Sequence, residues 1–201
     1  MIIGVSGKAR SGKDTFAEML ARELQTQTGQ SYVLMAYAHE LKLKVQKDFD
    51  LSYEQLWGDN KEIEDNRYRK HTRKDGYSYW TPREIMQNYG QFFRTINYDF
   101  WVDHLFNVIE EKEYKNVIIT DGRHINEVNA VVDRGGFHVR VEREEDEATH
   151  NKQHISETAL DDGHRIDFTV QNYGTLEELK ETARTVVRFL TDSQKTFMKG
   201  E

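Results

Sequence analysis

Apolar residues along the chain form five short blocks that are separated by longer stretches of mixed character. The blocks at residues 2–5 and 117–120 have the length and the β-branched content of buried parallel strands. Three further blocks, at residues 32–36, 137–141 and 168–171, are each preceded or followed by a helical pattern. Strands that alternate with helices predict an α/β fold, in which helices flank a parallel five-stranded sheet.

Several helix starts are marked by capping boxes, in which a hydroxyl and an acidic or amide side chain three residues later satisfy each other's backbone N–H groups. Thr81 and Glu84 form the clearest box, and Pro82, the only proline, takes the first helical position, where no N–H is needed. The pattern recurs at Ser52 with Gln55 and at Thr175 with Glu178. Helices are therefore predicted to begin at these three places.

Two polar stretches interrupt this alternation. Residues 61–74 are short of apolar side chains and rich in Lys and Arg, which predicts an excursion from the sheet at about residues 58–81. Residues 142–153 show no hydrophobic periodicity, which indicates a lid at about residues 142–154. A chain of 201 residues is expected to form one domain, residues 1–201, that carries both insertions.

Composition argues against several classes of protein. Hydrophobic residues make up 37% and charged residues 31% of the chain, as expected for a globular protein with a solvated surface. No stretch reaches the roughly eighteen apolar residues of a membrane span, and the chain opens on a strand pattern, which predicts a cytoplasmic protein, of the host cell if its source is viral. The lack of cysteine excludes disulfides and thiolate chemistry, and the net charge of −7 argues against nucleic-acid binding.

A glycine loop follows the first predicted strand and precedes a helical run that begins near Phe16. It has the pattern G-x4-G-K, with Gly7, Gly12 and Lys13 at the fixed positions. Glycines let backbone N–H groups turn towards a phosphate, the lysine reaches its oxygens, and the dipole of a helix N-terminus favours an anion. The order of strand, loop and helix favours a phosphate-binding loop over a glycine turn that only caps a helix.

The residue after Lys13 departs from the usual pattern, because Asp14 stands where Ser or Thr is expected and Thr15 follows it. Magnesium keeps several waters in phosphate sites, so either Asp14 or Thr15 suits it as a ligand, and the choice stays open. Asp121 ends the most apolar strand, at the edge of the sheet where α/β proteins bind their ligands, and its carboxylate is a third candidate.

Arginines near this edge suit phosphoryl transfer, which needs positive charge at the migrating group. Arg123 follows Asp121 by two residues; the alternative is that Asp121 only caps a helix beginning at Gly122. Arg140 and Arg143 flank the predicted lid, and the alternative for them is a solvated surface that balances the neighbouring Glu142, Glu144 and Glu145.

The basic stretch offers a site for an acceptor phosphate beside a base or another flat group. Its cations are Arg67, Arg69, Lys70, Arg73 and Lys74, and its aromatic candidates are Tyr68, Tyr77 and Trp80. A plain solvated loop is the alternative. No H-E-x-x-H or G-x-S-x-G pattern supports a hydrolase, and His138, between apolar strand residues, is expected to be structural.

Six sequence blocks point together to a known family. They are G-K-A-R-S-G-K-D-T at 7–15, R-E-I-M-Q-N-Y-G at 83–90, F-W-V-D-H-L-F at 100–106, T-D-G-R at 120–123, H-I-S-E-T-A-L at 154–160 and D-F-T-V-Q-N-Y-G-T-L-E-E-L at 167–179. Over nearly its whole length the chain resembles the bacteriophage deoxynucleoside monophosphate kinases, relatives of the animal-type phosphomevalonate kinases. The resemblance implies a P-loop NTP hydrolase fold of the nucleoside-monophosphate-kinase type, with an acceptor-binding insertion and a lid.

The resemblance also implies transfer of the γ-phosphate of ATP to a deoxynucleoside monophosphate, with ATP and Mg²⁺ as cofactors. The residues implied at ATP are Gly7, Ala9, Ser11, Gly12, Lys13, Asp14 and Thr15, with Asn172 and Gly174 at the adenine. The residues implied in catalysis are Lys13, Arg10, Asp121, Arg123, Arg140 and Arg143. Those implied at the acceptor are Lys42, Arg67, Arg69, Lys70, Trp80 and Arg123, and the metal candidates are Asp14, Thr15 and Asp121.

Two other functions stay open from the sequence. The insertion after Trp57 differs most between relatives, so phosphomevalonate is the second acceptor to consider. A nucleic-acid-responsive ATP-binding module is the alternative of another class, which the acidic net charge disfavours. A regulatory GTPase is disfavoured because neither Asn60-Lys61 nor Asn151-Lys152 continues into an N-K-x-D motif. The expected partners are ATP and a deoxynucleotide, without stable nucleic-acid or membrane binding, and a homodimer stays open.

Overall fold

The computed structural model describes residues 1–70, 76–143, 160 and 165–197, with side chains up to residue 193 in the last helix. The described residues fall into two compact units. One consists of Met1–Ala36 and the chain from Phe106 onward, and the other of Tyr37–Leu105.

A five-stranded parallel sheet in the order β2-β3-β1-β4-β5 forms the centre of the first unit. All five predicted strands are confirmed, and their ends shift by at most two residues from the prediction. The strands are β1 at Ile2–Ser6, β2 at Val33–Met35, β3 at Val117–Gly122, β4 at Phe137–Glu142 and β5 at Phe168–Gln171.

The position of β1 in the middle of this sheet decides what surrounds the glycine loop. Ser6, the last residue of β1, pairs with Gly122 of β3 on one side and with Arg140 of β4 on the other. Because the strands are parallel, their carboxyl ends lie at one edge of the sheet. The glycine loop, Asp121 and Arg140 therefore lie at the same edge.

The described part of the chain contains seven α-helices, three of which begin at a predicted capping box. They are α1 at Lys13–Thr28, α2 at Tyr37–Phe49, α3 at Tyr53–Leu56, α4 at Pro82–Ile96, α5 at Phe100–Glu111, α6 at Ile125–Val132 and α7 at Leu176–Phe197, with a 3₁₀ turn at Asp59–Glu62. Reciprocal hydrogen bonds join Ser52 to Gln55, Thr81 to Glu84 and Thr175 to Glu178. All three predicted capping boxes are confirmed, with Pro82 at the start of α4.

The core of the first unit combines the sheet with α1 and α7. On α1 and α7 the buried positions recur every three or four residues, which places them on one helix face. They are Phe16, Ala17, Leu20 and Leu24 of α1 and Leu179, Ala183, Val186, Val187 and Leu190 of α7. The strands contribute Ile3, Val5, Ile118, Val139, Val141 and Val170. This packing fixes α1, and with it the glycine loop, against the carboxyl edge of the sheet.

The second unit has a core of its own, drawn from helices α2 to α5 and the turns between them. Its buried residues are Leu41, Val45, Leu51, Leu56, Ile85 and Trp101. The indole N–H of Trp101 donates to the Gly90 carbonyl oxygen at 3.1 Å, so the large ring is buried with its polar atom satisfied. The predicted excursion at about residues 58–81 lies within this unit, and its backbone pairs Tyr68 with Trp80 and Lys70 with Ser78.

Part of the prediction lies outside the described residues. Of the lid predicted at about 142–154, the structure describes Glu142 and Arg143, and of the block at 154–160 it describes Leu160. Arg73 and Lys74 of the basic stretch also lie outside. None of the helices in the described part of the chain combines the length and the apolar character that crossing a bilayer requires.

Candidate active site

The glycine loop between β1 and α1 is closely packed at both of its fixed glycines. A Cβ atom on Gly7 would lie 2.4 Å from Ser11 Oγ and 2.5 Å from the Val141 carbonyl oxygen. Gly12 has a φ of 87°, and a Cβ there would lie 2.4 Å from Asn172 Nδ2. At Gly7 the Val141 backbone leaves no room for a side chain, whereas at Gly12 the left-handed φ favours glycine and a Cβ would displace the Asn172 amide.

Ser11 is buried in this loop together with its hydroxyl group. Its residue is 3% exposed, and its Oγ has no hydrogen-bond partner among the described residues. A buried hydroxyl without a partner loses the free energy of a hydrogen bond, unless a ligand supplies one. The loop therefore offers a free donor next to the N-terminus of α1, where an anion is favoured.

Lys13 is the first residue of α1, and its side chain is only 8% exposed. Its Nζ lies 3.0 Å from Oδ2 of Asp14, whose own side chain is 71% exposed. Asp14 therefore provides the ammonium group with a counter-charge that points into solvent. An anionic ligand at the helix N-terminus can replace this partner, since a phosphate offers stronger and better-placed acceptors.

Asp121 is the last but one residue of β3, and Arg123 lies between β3 and α6. Gly122 is still part of β3, and α6 begins only at Ile125. The alternative that Asp121 caps a helix starting at Gly122 is therefore wrong. The carboxylate of Glu127 takes that place, since its Oε2 accepts the backbone N–H groups of Arg123 at 2.7 Å and of His124 at 3.0 Å.

Arg140 points into a small cleft at the carboxyl edge of the sheet, lined also by Ser6, Gly7, Lys8, Gly122 and Leu160. Its Nε lies 3.0 Å from Glu142 Oε1, and one of its terminal N–H groups donates to the Leu160 carbonyl oxygen. Arg140 thus pairs with Glu142, as the alternative expected. Its side chain is only 12% exposed, however, so it is not a solvated surface charge. Arg143 is exposed.

His138 packs beneath the loop as a neutral ring. It is 1% exposed, and its Nε2 lies 2.8 Å from the Ser6 hydroxyl, one residue before Gly7. Burial lowers the pKa of His138 to about 4, and the positive charge of Arg140 acts in the same direction. This placement agrees with the structural role expected for this histidine.

The second unit contains a pocket of about 510 Å³ with largely aromatic walls. Its lining residues are Phe49, Arg67, Tyr68, Arg69, Trp80, Ile85, Asn88 and Tyr89. Drug-sized and nucleotide-sized ligands occupy cavities of roughly 300–1,000 Å³, in which a few polar groups set the orientation. The pocket therefore has the size and the flat walls that suit a nucleobase or a similar planar group.

Arg67 is held rigidly in this pocket by Asp65. Its Nη2 lies 2.7 Å from Asp65 Oδ2 and its Nε 2.9 Å from Oδ1, while Gln55 donates to the same carboxylate at 2.8 Å. The hydrogen bonds from Arg67 hold the pKa of Asp65 well below its usual range, and Asp65 in turn raises the pKa of Arg67. The charge of Arg67 is thus already compensated within the protein.

Arg69 differs from Arg67 in its partner, which is an aromatic ring. Its guanidinium carbon lies 4.1 Å from the centroid of the Tyr77 ring, a cation–π contact. Among the described residues no carboxylate pairs with it. As far as the described residues show, Arg69 therefore brings a positive charge without a carboxylate partner to a pocket with aromatic walls, which suits an anionic group on a flat ligand.

Comparison with known proteins agrees with this geometry. Residues 27–183 match the sequence profile of the family described as deoxynucleotide monophosphate kinase. The chain belongs to this kinase family. A protein of Acanthamoeba polyphaga mimivirus, provisionally named a deoxynucleotide monophosphate kinase, is 25% identical over 191 residues, which cover 89% of this chain and 91% of that protein.

Solved structures of other small-molecule kinases are similar to this chain only at a low level. Dephospho-CoA kinase from Campylobacter jejuni has a TM-score of 0.49 at 10% identity and covers 96% of this chain and 98% of that one. A gluconokinase from Sinorhizobium meliloti has a TM-score of 0.46 at 14% identity, covering 96% and 95%. At these scores the likenesses bear on neither the substrate nor the reaction.

The fold predicted for this deoxynucleotide kinase family member, a parallel five-stranded sheet flanked by helices with the glycine loop between β1 and α1, is confirmed by the sheet order and by the family. Of the residues predicted at ATP, the structure brings Gly7, Ser11, Gly12, Lys13 and Asn172 together. Ala9, Arg10, Asp14, Thr15 and Gly174 are exposed.

Of the residues predicted at the acceptor, the pocket brings together Arg67, Arg69 and Trp80. Lys42 and Lys70 do not line it. The ammonium of Lys42 lies 5.5 Å from the Trp57 ring centroid, and that of Lys70 lies 2.7 Å from Glu84 Oε1 and 4.9 Å from the Trp80 ring centroid. Arg123 belongs to the first unit.

Sequence reasoning missed four lining residues of this pocket, Phe49, Ile85, Asn88 and Tyr89. Three of them were visible as a pattern, because Ile85, Asn88 and Tyr89 follow the i, i+3, i+4 spacing of one face of α4. Tyr89 donates to Asp48 Oδ2 at 2.8 Å, and burial together with this carboxylate raises the pKa of Tyr89 to about 12. The phenol therefore stays neutral at physiological pH.

The residues near the glycine loop fit magnesium in the way kinases hold it. The described part of the chain contains no cluster of three or more His, Asp or Glu residues that forms a protein cage for a metal. Magnesium in phosphoryl-transfer sites is bound by one or two carboxylates together with substrate phosphates and water. The exposed carboxylate of Asp14, the hydroxyl of Thr15 and the carboxylate of Asp121 match that donor set.

Proposed function

We propose that this protein transfers the γ-phosphate of ATP to a deoxynucleoside monophosphate and releases a deoxynucleoside diphosphate and ADP. Membership of the family supports nucleotide kinase activity. The observation that carries the choice of acceptor is the aromatic pocket of the second unit with Arg69, which pairs with no carboxylate among the described residues. A base and a phosphate together match these two features, whereas an aliphatic acceptor such as phosphomevalonate leaves the aromatic walls without a partner.

On the donor side, the glycine loop and the N-terminus of α1 receive the ATP phosphates. Backbone N–H groups, the Ser11 hydroxyl and the Lys13 ammonium supply the donors. Asn172 and Gly174, after β5, are proposed to lie at the adenine. Magnesium, when bound through Asp14 or Thr15 and Asp121, neutralises charge on the β- and γ-phosphates.

On the acceptor side, Arg69 binds the acceptor phosphate, and the rings of Phe49, Tyr68 and Trp80 contact the base. Arg67 forms a fixed wall, because Asp65 already occupies its guanidinium group. The segment at about residues 58–81 is thus the proposed acceptor-binding insertion, and the segment at about 142–154 the proposed lid.

The reaction is an in-line transfer without a covalent enzyme intermediate. An oxygen of the acceptor phosphate attacks the γ-phosphorus, the bond from that phosphorus to the bridging β-oxygen breaks, and ADP leaves with the electron pair. The acceptor oxygen needs no general base, since a phosphate monoester with a second pKa of about 6 is largely dianionic at neutral pH. Lys13, Arg10, Arg123, Arg140 and Arg143 are the cations proposed to stabilise the charge that spreads over the migrating group.

The test is ADP release with a panel of acceptors, measured with purified protein, ATP and magnesium in a coupled assay. The acceptors are dTMP, dGMP, dCMP, dAMP, 5-hydroxymethyl-dCMP, the ribose counterparts and phosphomevalonate, each in a separate reaction. We expect ADP release with one or more deoxynucleotides. Release with phosphomevalonate alone, or ATP loss that depends on added DNA, contradicts the proposal.

A further inference from the structure

Asn172 makes a side-chain contact that its position in the chain does not suggest. It follows β5, and its Nδ2 donates to the carbonyl oxygen of Ser11 at 2.8 Å, across 161 residues of sequence. The contact is partly buried, so water competes weakly with it. A side chain expected at the adenine is therefore engaged by the glycine loop instead.

The same amide fills the space beside the bend at Gly12. Gly12 adopts a left-handed φ of 87°, and a Cβ atom there would lie 2.4 Å from Asn172 Nδ2. Gly12 is also the N-cap of α1, and its carbonyl oxygen accepts the first helical hydrogen bond, from Phe16, at 2.9 Å. The conformation of Gly12 thus sets the direction of the first N–H groups of α1.

α1 starts without a side-chain cap, because its N-cap residue, Gly12, has no side chain. Three other helix starts in the described part of the chain do have such a cap, at Ser52, Thr81 and Thr175. A start left uncapped keeps its N–H groups available for an anion, but it needs another source of rigidity. The hydrogen bond from Asn172 to the preceding loop supplies it.

Asn172 is itself anchored to the end of β4. Its backbone N–H donates to the Glu142 carbonyl oxygen at 2.7 Å, and the Glu142 carboxylate pairs with Arg140 Nε at 3.0 Å. The anchor therefore continues the sheet and does not depend on a mobile surface residue. Asn172 is thus held by β4 through its backbone N–H and holds the glycine loop through its side-chain amide.

We propose that Asn172 is a positioning residue, whose side-chain amide holds the Ser11 carbonyl and so keeps the Gly12 bend and the α1 N-terminus in the arrangement that binds the ATP phosphates. This inference rests on the proposed ATP site. It assigns the side chain of Asn172 to the phosphate end of ATP, through Ser11, and leaves only its backbone for the base.

Two variants separate this role from general stability. Asn172→Ala removes the donor at every pH. Asn172→Asp keeps the shape but presents an ionised carboxylate to the Ser11 carbonyl at neutral pH, and it regains a donor only when the carboxyl is protonated. Asn107→Ala and Asn107→Asp are matched controls, because Asn107 is exposed on α5.

We expect Asn172→Ala to raise the KM for ATP and the Kd for a magnesium complex of a non-hydrolysable ATP analogue by about tenfold or more, as for a lost hydrogen bond that leaves a carbonyl unpaired. The KM for the acceptor should stay within about twofold. For Asn172→Asp, the loss at neutral pH should be at least as large as for Asn172→Ala, because a carboxyl with an ordinary pKa of about 4 is ionised there and repels the Ser11 carbonyl oxygen.

The outcomes distinguish the two proposals. If the wild-type protein binds the ATP analogue and both Asn172 variants bind it equally well, the positioning role is overturned while the proposed function stands. If the wild-type protein binds the analogue but phosphorylates no nucleotide, the proposed function fails and the Kd values still decide the role of Asn172. A wild-type protein that binds no ATP analogue overturns both. Should Asn172→Ala fail to fold, Asn172→Asp decides at neutral pH, and a wild-type Kd for the ATP analogue in that variant contradicts the role.

Discussion

Lys13 Nζ lies 3.0 Å from Asp14 Oδ2, so the lysine of the glycine loop pairs with its own neighbour at the start of α1. The pair joins a nearly buried ammonium to a carboxylate that is 71% exposed. An exposed partner of this kind contributes little to stability, because water and salt screen it. It can therefore yield to ATP, and Lys13 is then free to contact the phosphate oxygens.

Replacement of Lys13 by alanine should therefore affect turnover far more than stability. We expect Lys13→Ala to lower kcat by about a hundredfold or more, as for the loss of one preorganised donor in a transition state. The measurement is steady-state ADP release at saturating ATP and acceptor. Lys112→Ala, at an exposed position, is the control and should keep wild-type turnover. Near-normal kcat in Lys13→Ala contradicts the assigned site.

The two pocket arginines should respond differently to the same change. Arg69→Ala should raise the KM for the acceptor by about ten- to a hundredfold, the range for losing a charge-assisted hydrogen bond, and leave the KM for ATP unchanged. Arg67→Ala should instead lower the melting temperature, because the nearly buried Asp65 carboxylate is left without its main partner. Acceptor kinetics and thermal unfolding of both variants check this division, and equal effects on the acceptor KM contradict it.

Gly12→Ala should lower activity by more than the strain of an alanine in a left-handed conformation would cause by itself. Gly12 has a φ of 87°, and a Cβ there would meet Asn172 Nδ2 at 2.4 Å. Gly135 has a similar φ of 70° with no atom within 4 Å of the same added Cβ, so Gly135→Ala carries the strain without the clash. We expect both variants to lose about 1 kcal/mol or more in unfolding free energy, while only Gly12→Ala loses ATP binding. Wild-type ATP affinity in Gly12→Ala contradicts the account of the loop.

Stability should fall on mild acidification because of His138. Burial lowers its pKa to about 4 in the folded protein, against about 6.5 in an unfolded chain. Between these values the unfolded state binds the proton and the folded state does not, so the free energy of unfolding decreases as the pH falls from about 6.5 to 4. The contribution is fully present above about pH 7 and amounts to roughly 3 kcal/mol at most.

The check is urea unfolding of the wild type and His138→Gln at several values between pH 4.5 and pH 8. The two curves of unfolding free energy against pH should diverge in this interval, with the wild type losing more on acidification. Parallel curves throughout the interval contradict the buried, neutral state of His138.

The sequence predicted the local features of this fold well. Strands, capping boxes and the glycine loop depend on residues that are close in sequence, so Ile2–Ser6, the Thr81 box and Lys13 were found where they were expected. The end of β3 was harder, because the choice between Asp121 and Glu127 as the residue that caps the start of α6 depends on where the helix begins. The two possible helix starts, Gly122 and Ile125, differ by about one turn of helix.

The pocket and the different roles of Arg67 and Arg69 in it were less predictable from the sequence. Phe49 and Tyr89 reach the same cavity from different helices, which no local pattern shows. Arg67 and Arg69 look alike in sequence, and only the buried Asp65 distinguishes them. The contact of Asn172 with Ser11 joins the two ends of the chain, so it follows from the parallel sheet order and not from either segment alone.

The most direct test of the central claim follows the phosphate itself. The protein is incubated with magnesium, ATP labelled in its γ-phosphate and each deoxynucleoside monophosphate in turn, and the products are separated by chromatography. The account predicts label in the β-position of a deoxynucleoside diphosphate, at a rate that Lys13→Ala and Arg69→Ala both reduce. Label that stays in ATP, or that appears only as free phosphate with every deoxynucleotide, contradicts it.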